Sequence, residues 1–210
     1  RIDRSVNPEL GLDGTGFFNS DEQIKLRGLE YSFGIPKRGD FVYQDLNGDG
    51  KIDEKDQAPI GYSSLLPRIT YGLTLGGNVY GFDFSVMLQG VGKYSKYFGS
   101  QIMFENYGTY FFSDMCDNRW SDERYANGDK ITHPRLSLSD TPSHTANDYY
   151  IQDASYIRLK NITLGYTLPA NLTKKIGMNN VRFYISADNL HTWSNLRTKM
   201  IDPEQSSLAS

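Results

Sequence analysis

The chain has 210 residues, room for one large domain or two small ones, and its 22 basic and 25 acidic side chains leave a net charge of -3. The basic residues are scattered, so nothing argues for a nucleic-acid partner, and one cysteine, Cys116, excludes a disulfide framework or a cysteine-rich metal site. Aromatic residues reach 13%, with 15 Tyr, 11 Phe and 20 Gly, a mixture that favours strands punctuated by turns and bulges.

No apolar run approaches the length of a membrane-spanning helix. A transmembrane strand needs only about 10 alternating residues and leaves almost no hydropathy signal. Arg1 opens in mid-segment with no signal-peptide pattern, and Ser210 closes a polar loop, so the sequence reads as a portion of a longer polypeptide.

Residues 1–67 read as a loop region, polar and turn-rich, with one helical turn over Ser20–Leu26 capped by Ser20 and a short strand at 41–44. Within it, Asp45, Asn47, Asp49, Gly50 and Asp56 fit the pattern D-x-[DN]-x-[DN]-G with an acid at the twelfth position. A hard cation takes 6–8 oxygens, which Asp45, Asn47, Asp49, Asp53, Asp56 and the Lys51 carbonyl would supply to Ca²⁺ or Mg²⁺. The alternative is an acidic solvated turn without metal. Asp56 stands where glutamate is usual, and Pro59 follows where a helix would flank the loop.

Regular alternation begins at 68. Ile69, Tyr71, Leu73 and Leu75 alternate with small or polar residues, and after Gly77–Asn78 the phase restarts with Tyr80, Phe82, Phe84, Val86 and Leu88. This predicts strands at about 68–77 and 80–90 joined by a turn at Gly77–Asn78. A long loop, 91–148, carries many aromatics, among them Tyr107, Tyr110, Phe111, Phe112 and Trp120. Strand character returns at 149–169, where Ile157 and Leu159 fall out of phase with Ile162 and Leu164, which predicts a bulge near Lys160. A short connection at 170–180 ends a helical turn at Gly177, and a last strand follows at 181–192.

Short links at one end and long loops at the other match an outer-membrane barrel, of which four strands would be only a part. Alternation alone fits a soluble sandwich equally well, with its apolar face inward. That keeps open a secreted, carbohydrate-binding β module with a Ca²⁺ loop.

Several ordered segments resemble one family, the SusC/RagA-type TonB-linked outer-membrane transporters of Bacteroidetes. They are GDFVYQDLNGDGKIDEKDQAPIG at 39–61, PRITYGLTLGGNVYGFDFSVMLQGVGK at 67–93, RWSDERYANGDKITHPRL at 119–136, NDYYIQDASYIRLKNITLGYTLP at 147–169 and VRFYISADNLHTWSNL at 181–196, closed by DPE at 202–204. The resemblance implies an all-β fold, part of a large transmembrane antiparallel barrel of about 22 strands with long extracellular loops. It implies a multi-pass outer-membrane location, coupling to TonB through an N-terminal plug, a SusD-like lipoprotein lid, and import of oligosaccharides or, in some members, peptides. The sequence departs from the family's usual end in lacking a final strand with a terminal aromatic residue.

On residue type, Trp120 with Arg119 and Asp122 is the best candidate for contact with a sugar, since a planar ring covers the apolar face of a pyranose; the alternative is that these rings pack the loops together. Asp83, Ser85, Arg182 and Asp188 are expected on the inward face, against a polar lumen or the plug. His133, His144 and His191 have no metal-ligand spacing and no nucleophile elbow is present, so no enzyme is expected.

Overall fold

In a computed structural model of the chain, the structure describes residues 10–11, 14–63, 65–99, 103–105, 113–197 and 201–204. The aromatic positions Tyr107, Tyr110, Phe111 and Phe112 lie outside the described residues. The first part carries short elements: β1 (Leu10–Gly11), β2 (Gly14–Phe17), α1 (Asp21–Arg27), β3 (Glu30–Tyr31), β4 (Phe41–Tyr43), β5 (Lys51–Ile52) and β6 (Ala58–Pro59). Then come β7 (Ile69–Val79), β8 (Phe82–Gly92), β9 (Ser95–Tyr97), α2 (Ser113–Asp117), α3 (Asp122–Asn127), β10 (Ile151–Asp153), β11 (Tyr156–Thr167), α4 (Ala170–Thr173) and β12 (Arg182–Ser194). Among the described residues, no helix is long and apolar enough to cross a membrane.

Local chemistry explains the helices. Ser20 caps α1 by accepting from the Gln23 amide at 3.3 Å, and Gly28 ends it at φ 61°. Ser121 does the same for α3, accepting from the Arg124 amide at 3.3 Å, with Gly128 at φ 73°. The segment 91–148 therefore holds β9 and two helices rather than one unstructured loop.

The four long strands form one antiparallel sheet in the order β12-β11-β8-β7. Its first hairpin turns at Tyr80–Gly81, with φ of 50° and 85°, and not at Gly77–Asn78. Positive φ at both central residues gives the twist that a two-residue hairpin needs. Gly76 and Gly77 stay in the ladder, opposite Ser85 and Phe84. The phase change that suggested an earlier turn comes from this two-residue link, which pairs odd positions of β7 with even positions of β8, as in Leu75 with Val86. Further on, β11 steps from Leu159 to Asn161 while β8 steps only from Leu88 to Met87, so Lys160 is the extra residue of a bulge. Beside it β12 advances from Asp188 to His191 against the same step, with Asn189 at φ 51°.

Once the bulge is counted, each face is uniform across the sheet. Leu75, Val86, Ile162 and Ala187 are ladder neighbours on one face, flanked by Phe84, Leu164 and Ile185. Ser85, Thr163 and Ser186 line up on the other. Among the described residues all of β7 and nearly all of β12 is exposed, while Tyr156 and Arg158 at the loop-bearing end of β11 are buried.

The buried core lies elsewhere, in the layer built by the loops. Phe18, Phe41, Tyr43 and Ile52 pack there with Phe98, Phe104, Tyr149, Tyr150, Ala154 and Leu196. Phe41 sits 5.2 Å from Tyr149, ring centre to ring centre, and meets Tyr150 edge-on at 6.2 Å. The early loop region and the segment before β11 thus share one interior.

Candidate functional site

The polar face of the sheet carries charges that are paired in place. Arg182 on β12 reaches across β11 to Asp83 on β8, and it can do so because Gly165 lies beneath: a Cβ there would fall 2.6 Å from the Asp83 oxygens and 2.7 Å from Arg182 Nη2. Asn161 Nδ2 donates to Asp188 Oδ1 at 2.8 Å, and Thr163 Oγ1 donates to Asn161 Oδ1 at 3.0 Å. Asp83, Ser85, Arg182 and Asp188 all share this face, as the alternation implied.

At the loop-bearing end of the same face, Arg158 is held on three sides. Its Nε donates to Thr192 Oγ1 at 2.8 Å, its Nη2 meets Asp202 Oδ1 at 2.6 Å and its Nη1 meets Glu204 Oε2 at 2.7 Å. Tyr156 donates its hydroxyl hydrogen to Glu204 Oε1 at 2.7 Å. The partner of Asp202 and Glu204 is not legible in the sequence, because the pairing spans more than 40 residues and has no local signature.

The acidic loop folds through its own backbone. Asp45 accepts from the amides of Gly48 at 2.7 Å and Gly50 at 2.9 Å, which holds its carboxyl below the ordinary carboxylate value. Asn47 Oδ1 accepts from Asp49 N and Asp49 Oδ1 from Lys51 N. Asp53 Oδ1 caps a 3-10 turn at Glu54–Asp56 by accepting from Lys55 N, and the fully buried Asp56 accepts from the amides of Leu46 and Asp53, both at 2.9 Å. Among the described residues no group of three or more His, Cys, Asp or Glu side chains stands close enough to hold a metal ion.

Trp120 is interior. It is 6% exposed, its Nε1 donates to Asn19 Oδ1 at 3.1 Å, and its ring lies on Gly39, where a Cβ would come within 2.6 Å. In this packing the ring is turned into the loop layer rather than displayed as a platform for a pyranose. The three residues do not form one surface. Arg119 turns to the Cys116 carbonyl, and Asp122 pairs with Arg38 at 2.6 Å.

A buried polar network ties this layer together. Asp40, wholly buried, lies 2.9 Å from Arg135 Nε and accepts from Ser143 Oγ at 3.1 Å and Lys37 N at 2.8 Å. Burial pushes its carboxyl up, and the Lys37 amide and Arg135 pull it back only in part. Tyr43 donates to the Pro142 carbonyl at 2.9 Å and accepts from Asn147 Nδ2 at 2.8 Å. Glu105 and His144 form a second buried pair, Oε1 to Nε2 at 3.1 Å. Burial raises Glu105, but the bond from His144 and the surrounding amides outweigh it, so its carboxyl lies below the ordinary value.

No protein-family model matches the chain. TonB-dependent receptor P26 of Formosa agariphila is 31% identical over 213 residues, spanning 98% of this chain and 20% of that protein. TonB-dependent receptor P3 of the same organism is 28% identical over 156 residues, spanning 74% of this chain and 15% of that protein. The chain thus spans about a fifth or less of the length of the curated relatives it matches. Among solved structures, the RagAB peptide transporter aligns with a TM-score of 0.63 at 20% identity, over 94% of this chain and 20% of that one. The "closed-closed" state of the RagAB peptide importer gives 0.59 over 90% of this chain and 20% of that one, again at 20% identity.

Proposed function

This chain belongs to the TonB-dependent outer-membrane transporters of the SusC/RagA type, and from that premise we propose that it supplies four strands of barrel wall and part of the extracellular layer of an importer. The observation that carries the reading is the sheet with an uncovered apolar face, a paired polar face and a packed layer of loops at one end, which is what lipid, lumen and outside would each demand. The wall would cross the membrane several times. TonB would act on a plug elsewhere in the protein, and a SusD-like lipoprotein would close over the loops. Oligosaccharide is the cargo assigned first; peptide is the second reading, favoured by the description of RagAB as a peptide transporter. Neither cargo gives this protein a catalytic step.

The test is to extract the full-length protein from outer membranes in detergent, identify co-purifying chains, and titrate it with an oligosaccharide mixture and a peptide mixture. A polypeptide several times the length of this chain, with a lipoprotein partner and saturable binding to one mixture, supports the reading. A detergent-independent protein of about this chain's own mass, 23.8 kDa, would sink it in favour of the soluble carbohydrate-binding module. Ca²⁺ or Mg²⁺ at Asp45, Asn47, Asp49, Lys51, Asp53 and Asp56 is a separate proposal that rests on the sequence pattern. Calorimetric titration of the same preparation with CaCl₂ decides it: binding heat lost in Asp45→Asn supports the site, and no heat removes it.

A further inference from the structure

The importer reading leaves Asp202-Pro203-Glu204 without a task, and its surroundings suggest one. Arg158 is 6% exposed at its side chain, whereas Asp202 and Glu204 are 52% and 31% exposed. The guanidinium has holds that do not depend on the two acids: Nε donates to Thr192 Oγ1, and its carbon lies 5.5 Å from the centre of the Tyr156 ring. Lys160 Nζ adds a looser contact to Glu204 at 3.7 Å. One half of the ion pair is therefore fixed in the wall and the other half stands partly in water. Residues 201–204 also have an apolar hold, since Ile201 packs against the loop core and Pro203 is buried; when the segment lifts against that hold its carboxylates regain hydration, while Arg158 stays aimed by Thr192 with its two terminal nitrogens free to bind another anion.

We propose that Arg158 and the Asp202–Glu204 pair form a latch, which holds residues 201–204 against the polar face at the mouth of the barrel and bares a pre-set guanidinium fork when it opens. The alternation of closed latch and open fork rests on the importer reading, because only there does the polar face line a passage.

The experiment is hydrogen exchange on the full-length transporter in lipid nanodiscs, which needs no cargo. The double variant Asp202→Asn/Glu204→Gln is expected to speed exchange at the amides of residues 202 and 204 about tenfold or more, the loss of charge-assisted hydrogen bonds, with β11 and β12 left as they were. Raising salt from about 0.1 M to about 1 M shortens the screening length from about 10 Å to about 3 Å and should speed the same amides in the unaltered protein but not in the double variant. Unchanged exchange at 202 and 204 in the double variant overturns the latch. So does equal acceleration along β11 and β12, which would mean that the pair staples the wall. Glu204→Gln alone, which leaves in place the Asp202 oxygen that accepts from the Glu204 amide at 2.8 Å, gives the same reading should the double variant fold poorly. Absence of cargo uptake by the unaltered protein would instead count against the importer reading and leave these exchange results standing.

Discussion

Replacing Gly39 with alanine tests whether the loop layer is held by close backbone contact. Gly39 adopts φ 85°, where an L-residue with a side chain is strained by about 1–2 kcal/mol. Its new Cβ would also lie 2.6 Å and 2.8 Å from two carbons of the Trp120 ring and 2.8 Å from Arg135 Cβ, none of them the far end of a flexible chain. Overpacking of that kind adds about 1–3 kcal/mol, for a total of about 2–5 kcal/mol. Gly48→Ala is the control: φ is 75°, but nothing lies within 4 Å, so only the strain of about 1–2 kcal/mol applies. Native-state hydrogen exchange reads both, at the Trp120 amide bonded to His133 O for the first and the Glu30 amide bonded to Gly50 O for the second. The steric difference, about 1–3 kcal/mol, predicts roughly 5- to 150-fold more acceleration for Gly39→Ala. Equal acceleration in the two variants would refute the packing argument.

Other consequences are open to measurement. On the importer reading Ile185→Arg places a charge on the lipid-facing side, at a cost in a folding titration from detergent that reaches about 2–4 kcal/mol at the bilayer midplane and falls toward the interfaces, whereas Ser186→Arg on the polar face should cost less than its neighbour. Tyr43→Phe strands the Pro142 carbonyl and the Asn147 amide in the core and should cost about 1–3 kcal/mol, seen as faster cleavage of the loop layer by protease. Glu105 has a carboxyl held below its ordinary 4.5, so its contribution is present above that pH and is lost as pH falls through the depressed value; Glu105→Gln should flatten the acid limb of loop-layer stability.

The strands were legible because their period is local. Leu73, Leu75, Val86 and Leu88 alternate strictly, and the slip between Leu159 and Ile162 places a bulge near Lys160–Asn161, where the ladder has it. Glycine misled at Gly77–Asn78: in a β7 whose neighbour carries Phe84, a glycine makes room for a cross-strand ring as readily as it makes a turn. Helix α3 had a readable signature in Ser121-Asp122-Glu123 with Gly128 beyond, hidden by the aromatic density around it. The interior of the loop layer had no signature, because Phe41 and Tyr149 meet across more than 100 positions and no periodicity links them. Trp120 has the ring chemistry that suits a sugar, and only the tertiary packing at Gly39 tells a buried ring from a displayed one.

Placing the core among the loops divides the folding of this chain between two solvents. The layer around Tyr43, Phe41 and Tyr150 is driven together by water, so its stability should be curved in temperature like that of a small soluble protein. The sheet beneath it has no interior of its own; β7 and β12 gain theirs from neighbouring strands and from lipid, and their stability should follow bilayer thickness instead. Heating and thinning the membrane would then unmake the two halves in opposite orders.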